Sequence, residues 1–175
     1  MTSKDDLAIL VFTADPLDRI LGDSGSGDWV VSPRKANGCK YIVCCRKPNW
    51  SNRKDNIPER AAFLVGRVAG LLQRPGSETP RNQLRYFVQM RDYALLTPPQ
   101  PEAWREDVRN PVAYTTLHEL RIDPSKLEFK ALSGPRVPVT AADSVARPMT
   151  IADAKKGLAA AFGVSPDNIE ITIRA

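Results

Sequence analysis

The chain has 175 residues, 42% of them hydrophobic and 26% charged, with a net charge of +5 at pH 7. This length suits one domain with a small appendage, and the hydrophobic fraction excludes wholesale disorder. The longest apolar run, residues 7–12, is too short to span a membrane, and no signal-like segment follows the N-terminus. We therefore expect a cytoplasmic protein with no membrane partner.

The first half of the chain predicts strands. The apolar run 7–12 predicts a buried strand. Residues 28–32 and 40–46 are rich in β-branched and aromatic side chains and predict two more strands. Because residues 33–38 between them contain proline, asparagine and glycine, these two strands are expected to form a hairpin.

The next segments predict a long strand pair followed by short elements. Residues 47–58 are polar and predict a loop. Residues 61–73 are apolar but contain two glycines, which disfavour a helix and predict a bent strand with a bulge. Residues 84–96 predict the return strand, 115–122 a short helix and 126–132 a further strand.

The C-terminal part of the chain differs in composition. Residues 1–132 are expected to form one domain, and 133–148, with three prolines and many small residues, a linker. Residues 149–175 predict a helix–strand unit that is too small to bury its own apolar face. We expect it to dock on the domain or on a second copy, as a homodimer contact. Its expected buried residues are Ile151, Leu158, Phe162, Ile169 and Ile171.

The few metal-binding side chains predict no cofactor and no metal. The three cysteines, Cys39, Cys44 and Cys45, are odd in number and two are adjacent, which does not fit a disulfide framework. His118 is the single histidine, and there is no Cys-x-x-Cys pair. A structural zinc site is therefore not expected.

Residues 34–54 form the most basic stretch. It contains seven cations and no Asp or Glu, together with Tyr41 and Trp50. Cations neutralise phosphates and aromatic rings stack on bases, so the stretch predicts a DNA- or RNA-binding surface, with a plain solvated face as the alternative. Reversal of Arg46 and Lys47 to Glu is expected to abolish binding and leave the fold intact. The predicted binding residues are Arg34, Lys35, Lys40, Arg46, Lys47, Trp50, Arg53 and Lys54.

Two motifs raise the question of catalysis. Residues 22–29, "GDSGSGDW", contain the Gly-Asp-Ser-Gly run that surrounds the nucleophile of chymotrypsin-like proteases. A serine nucleophile needs a base, and His118 is the only histidine, so a tight glycine loop is the simpler interpretation. Glu128 and Lys130 form a Glu-x-Lys pair that, with Asp107, fits a metal-dependent nuclease. No apolar strand presents Asp107, so we expect no enzymatic activity.

Four segments together resemble a known superfamily. They are "RAAFLVGRVAGLL", "RYFVQMRDYALL", "RNPVAYTTLHELRI" and "KLEFKAL". They resemble the PUA-like superfamily, and within it the EVE and ASCH modules, over roughly residues 7–132. The resemblance implies an α+β, mainly antiparallel pseudo-barrel with short helices, which binds nucleic acid and often holds a modified or flipped-out base. The C-terminal helix–strand unit lies outside the resemblance.

A base pocket would need stacking rings and a few polar groups. Trp104 lies in a proline-rich loop, where an apolar core is not expected, and Trp29 follows the glycine loop. The predicted pocket residues are Asp28, Trp29, Trp104 and Asn110. The sequence thus predicts a non-catalytic nucleic-acid-binding module. The alternatives are the nuclease and a non-catalytic adaptor or assembly subunit.

Overall fold

A computed structural model describes residues 6–73 and 83–132, together with the isolated positions 155, 165, 168 and 170. The chain divides into two compact units, Met1–Val139 and Thr140–Ala175. The predicted linker 133–148 and, apart from those four positions, the predicted helix–strand unit 149–175 lie outside the described residues. The same holds for the five residues expected to be buried in that unit.

Seven strands of the described residues form one curled sheet of half-barrel shape. They are β1 (Leu7–Thr13), β2 (Gly25–Trp29), β3 (Tyr41–Arg46), β4 (Ala62–Gln73), β5 (Tyr86–Gln100), β6 (Val112–Thr116) and β7 (Lys130–Ala131). The helices are α1 (Leu17–Gly22), α2 (Pro33–Ala36) and two 3-10 helices, Trp50–Asp55 and Pro124–Lys126.

The strand order is β2-β5-β4-β3-β1-β6, and β7 also pairs with β5. β1 and β3 run parallel, whereas the other strand pairs in the described part of the chain are antiparallel. The expected α+β class is confirmed, as a mixed fold with a curled sheet and a few short helices. Membership of the PUA-like superfamily stays a prediction.

Both faces of the central strands are covered. On β1, Ile9 and Val11 pack into one core cluster, whereas Ala8 and Leu10 pack into a second cluster on the opposite face. A strand covered on both faces reads as a continuous apolar run, because no position needs to be polar. The predicted buried strand at the start of the chain is therefore confirmed.

The long pair β4–β5 is also confirmed, including irregularities in its register of the kind that a bulge produces. The β4–β5 register shifts between Ala62 and Leu64, and again on either side of Val68. Gly66 lies where the neighbouring strands pack closely, since a Cβ atom there would clash with the Met90 side chain. The bulges and this glycine explain why an apolar segment of helical length forms a strand.

Three local predictions are wrong. The second strand covers Gly25–Trp29 and pairs with β5, so no hairpin joins it to β3. Pro33 instead occupies the first turn of α2, a position that proline favours because its fixed φ suits a helix start. The predicted helix 115–122 is the end of β6 followed by a turn, which Glu119 closes by accepting hydrogen bonds from Thr115 Oγ1 and Thr116 N.

Two other segments differ in part from the prediction. The expected loop 47–58 contains the 3-10 helix Trp50–Asp55, and the expected strand 126–132 pairs only at Lys130–Ala131. Helix α1 has no counterpart in the sequence prediction. It directly follows Pro16, and its one buried residue, Ile20, ties it to the first core cluster.

Candidate nucleic-acid interface

The parallel pairing of β1 and β3 brings the carboxyl ends of both strands to the same edge of the sheet. The hydrogen-bond ladder between β1 and β3 continues one residue beyond β3, where the Lys47 N–H donates to the Thr13 carbonyl at 2.8 Å. The chain leaves β1 towards α1 and leaves β3 towards the 3-10 helix Trp50–Asp55, called here the 50–55 helix. Two loops therefore meet at this edge.

Asparagine side chains attach the 50–55 helix to both strand ends. Asn49 caps the helix by accepting from Trp50 N at 2.6 Å, and Asn52 accepts from Asn49 N at 3.0 Å. Asn52 is buried, and its amide donates to the carbonyls of Ala14 at 2.8 Å and Lys47 at 2.9 Å. This reciprocal cap fixes where the helix begins and how it lies on the sheet.

A buried ion pair anchors the other end of the helix. The side chains of Arg46 and Asp55 are 1% and 7% exposed, and Nη2 of Arg46 lies 2.6 Å from Oδ2 of Asp55. Nη1 donates to the Asp15 carbonyl at 2.7 Å, and Oδ2 of Asp55 also accepts from Leu17 N at 2.9 Å. The pair thus joins β3, the 50–55 helix and the start of α1.

The surroundings of Arg46 are those of a structural cation. Its guanidinium carbon lies 4.3 Å from the centroid of the Phe63 ring. Burial lowers the pKa of Arg46, and the charge of Asp55 opposes that shift. Arg46 therefore takes no part in an exposed binding surface, which corrects its assignment as a phosphate contact.

The outer side of the 50–55 helix is aromatic and basic. Trp50 is 80% exposed, and the guanidinium carbon of Arg53 lies 4.9 Å from its ring centroid. Lys54 is exposed and pairs with Asp18 at 2.6 Å, and this hydrogen bond raises the pKa of the lysine ammonium. Lys47 is exposed at the strand end. We call these residues the carboxyl-end surface: Lys47, Trp50, Arg53 and Lys54.

Two clefts border the carboxyl-end surface. One, of about 280 Å³, is lined by Asn52, Arg53 and Asn56. The other, of about 620 Å³, is lined by Lys47 and by residues of the segment that follows β5, including Trp104 and Arg109. Each cleft thus shares one cation with the carboxyl-end surface, Lys47 in the larger and Arg53 in the smaller.

The seven cations of residues 34–54 do not form one patch. Arg34, Lys35 and Lys40 precede β3, whereas Lys47, Arg53 and Lys54 follow it. β3 has six residues, and at a strand rise of about 3.3 Å per residue its first and last residues lie roughly 17 Å apart. Trp50, the most exposed aromatic ring among the described residues, lies with the second group.

The predicted pocket residues are not brought together. Trp29 packs against the first core cluster and donates from Nε1 to Ser26 Oγ at 3.0 Å. Trp104 is 4% exposed, belongs to the second cluster and stacks on Phe12 with ring centroids 5.1 Å apart. The two indoles therefore lie on opposite faces of the sheet. The expectation that Trp104 would lie outside the core is wrong, because the indole stacks on Phe12, an apolar residue of β1.

Of the two polar members of the predicted pocket, Asn110 lies just before β6 and Asp28 lies in β2. Asn110 is exposed, and its Oδ1 accepts from Val112 N at 3.3 Å, which is the local role expected of asparagine before a proline. Asp28 is exposed and has a φ of 63°. The Asp28 carbonyl accepts from Arg85 at 2.7 Å. Asp28, Trp29, Trp104 and Asn110 therefore do not share one cavity.

The glycine-rich segment has a packing role. A Cβ atom on Gly25 would lie 2.5 Å from the Phe87 ring, and one on Gly27 would lie 2.7 Å from the same ring. Both glycines allow β2 to lie directly on Phe87. Ser24 has a φ of 54°, and its Oγ is buried without a hydrogen-bond partner. Residues 25–29 are thus a tightly packed edge strand, and the expected glycine loop is limited to a turn at Asp23 and Ser24.

Both carboxylates of the nuclease alternative, Asp107 and Glu128, are exposed. Asp107 is held in a two-bond ion pair by Arg105, at 3.0 and 2.7 Å, and Glu128 is exposed beyond the second 3-10 helix. Within residues 6–73 and 83–132, no group of three His, Cys, Asp or Glu side chains is placed to hold a metal ion.

The chain matches no family model, no curated protein and no solved structure. None of the helices in the described residues is long and apolar enough to cross a membrane.

The basic stretch predicts the exposed side chains of the carboxyl-end surface but not the residues that hold them in place. Asn49 and Asn52 have the three-residue spacing of a helix cap, which is a usable signal. No sequence pattern marks Asp55 as a supporting residue, because its partner Arg46 resembles the surface cations of the same basic stretch.

Proposed function

We propose that this protein is a non-catalytic nucleic-acid-binding module and that the carboxyl-end surface is its interface. The observation that carries the proposal is Trp50, an indole that is 80% exposed beside the guanidinium of Arg53. Leaving a large apolar ring in water forgoes the stabilisation of about 1.5–3 kcal/mol that burying such a side chain supplies. A ligand that covers the ring recovers it.

The charges on this surface suit a phosphate backbone. Among the described residues, no carboxylate lies within ion-pair distance of Lys47 or Arg53. Their charges are therefore available to neutralise phosphates, and the counterions released would drive association. A protein-binding role would also use an exposed tryptophan and arginine, but it would lack the steep salt dependence of phosphate neutralisation.

The support of the surface is rigid, which favours recognition. Buried side chains, Asn52 and the Arg46–Asp55 pair, fix the 50–55 helix at both of its ends. A preordered interface loses little conformational entropy on binding. Nothing in this arrangement supplies a nucleophile with a base, so the proposed role is binding alone.

The test is a matched pair of double variants. Lys47→Ala/Arg53→Ala removes two cations from the carboxyl-end surface, and Arg34→Ala/Lys35→Ala removes two exposed cations from the other end of β3. Binding of fluorescent oligonucleotides is followed by anisotropy from low to moderate salt. We expect the first variant to weaken binding and to reduce the salt slope by about one to two counterions.

The control variant is expected to change both quantities much less. Equal losses in the two variants would point to net charge alone and would contradict this interface. Absence of binding to any DNA or RNA at low salt would contradict the function itself.

A further inference from the structure

We infer that the carboxyl-end surface recognises single-stranded nucleic acid, with one base stacked on the open face of the Trp50 ring. This inference rests on the proposed function and narrows its ligand class. It begins from the position of Arg53, whose guanidinium carbon is 4.9 Å from the ring centroid and covers one face of the indole. Because Trp50 is 80% exposed, the remaining ring surface is open to a ligand.

A duplex cannot use this ring face. The bases of a double helix are stacked on each other, so their faces are hidden and only their edges are accessible in the grooves. A strand without a partner exposes base faces, and stacking on an aromatic side chain is the usual way in which proteins hold it. A base on Trp50 would complete an arginine–tryptophan–base stack.

The charge pattern also suits one strand. Duplex DNA carries one phosphate charge per about 1.7 Å of axis on two backbones, so a duplex-binding face needs cations over a broad area. Among the described residues, Lys54 pairs with Asp18, and two arginines of the larger neighbouring cleft are paired as well, Arg60 with Glu106 and Arg105 with Asp107. Of the cations at this end of the sheet, Lys47, Arg53 and Arg109 have no described carboxylate within ion-pair distance, and so few available charges suit a single backbone.

The supporting contacts place the stacking ring at the start of the strip. Asn49 Oδ1 accepts from Trp50 N at 2.6 Å, so the backbone that carries the indole is held in the helix cap. Lys47 lies three residues earlier, at the strand end, and also lines the larger cleft. A strand with its base on Trp50 would therefore meet Lys47 with a neighbouring phosphate as it runs towards that cleft.

The test compares single-stranded and duplex ligands on three proteins: wild type, Trp50→Phe and Trp50→Leu. The ligands are an oligothymidylate of about 12 nucleotides, within the usual range of single-strand sites, and a two-stranded duplex of about 12 base pairs, which has no unpaired loop bases. We expect wild type to bind the oligothymidylate at least about tenfold more tightly at low salt. Trp50→Leu should weaken that binding by about fivefold to 150-fold, the range measured for loss of one base–aromatic stack.

Trp50→Phe keeps an aromatic face and should retain most of the single-strand affinity. Because Trp50 is exposed, neither substitution should change the melting temperature, which serves as the folding control. If the duplex binds as tightly as the single strand, or if Trp50→Leu weakens both ligands equally, this inference is overturned while nucleic-acid binding stands. If neither ligand binds, the proposed function is contradicted together with this inference.

Discussion

Replacing Arg46 with Met removes the buried cation that holds the 50–55 helix and leaves its partner in place. Asp55 is 7% exposed, so its carboxylate would lose the guanidinium at 2.6 Å and keep only the N–H of Leu17. Breaking a buried pair on one side costs about 3–5 kcal/mol, because the remaining charge is uncompensated. The Asp15 carbonyl would lose its charged donor as well.

The expected loss is a large part of the stability of a domain of this kind, which is typically about 5–15 kcal/mol. Urea unfolding of the full chain, followed by fluorescence, measures it. The double variant Arg46→Met/Asp55→Leu removes both charges and is expected to recover much of the loss. The recovery would be incomplete, since Leu17 N would lack its acceptor at a cost of about 1–3 kcal/mol.

A loss below about 1 kcal/mol for Arg46→Met would contradict a structural role for the buried pair, because that is the range of exposed ion pairs. The same structure corrects the expectation that reversing Arg46 and Lys47 to Glu leaves the fold intact. A glutamate at position 46 would place a second carboxylate beside Asp55, so unfolding would precede any effect on binding. Lys47, which is exposed, remains a suitable position for a charge reversal.

Three further substitutions or reactions test the packing. Gly25→Ala should destabilise the protein by about 1–3 kcal/mol through overpacking against Phe87, whereas Gly22→Ala, which meets nothing within 4 Å, should be nearly neutral in the same unfolding assay. Ser24→Ala removes a buried hydroxyl without a partner, so it should leave stability unchanged or raise it by up to about 1 kcal/mol, and a loss of more than that would contradict the packing. Burial raises the pKa of the Cys44 thiol from 9.0 to about 12, so Cys44 of the native protein should resist thiol reagents at pH 8, and rapid labelling of the native protein would oppose this. Because the thiol of the unfolded chain ionises first, the free energy of unfolding should fall as the pH rises from 9.0 to about 12.

The parts of the fold that the sequence predicted are those with a local signal. β1 is a continuous apolar run because both of its faces are covered, and β4 and β5 form a long pair whose bulges agree with glycines in the segment. Such patterns reflect the burial of each residue and its immediate neighbours. They carry no information about which strands pair with each other, so the pairing of β2 with β5 could not be predicted.

The candidate site could also be predicted only where its residues form a local pattern in the sequence. Trp50 and Arg53 were recognised because an aromatic residue among cations is visible in the sequence. The burial of Arg46 was not, since it depends on Asp15 and Asp55, which the parallel pairing of β1 and β3 brings to the same edge. Trp104 was misassigned because its stacking partner, Phe12, is remote in sequence.

The location of the nucleic-acid contact is the most direct test of the proposed interface. In an NMR titration of the labelled full chain with single-stranded oligothymidylate, backbone amide shifts are followed residue by residue. If the carboxyl-end surface is the interface, the largest changes fall at residues 47–54, together with the indole N–H of Trp50, and residues 33–40 change little. Changes concentrated at 33–40, or spread evenly over both ends of β3, would contradict it.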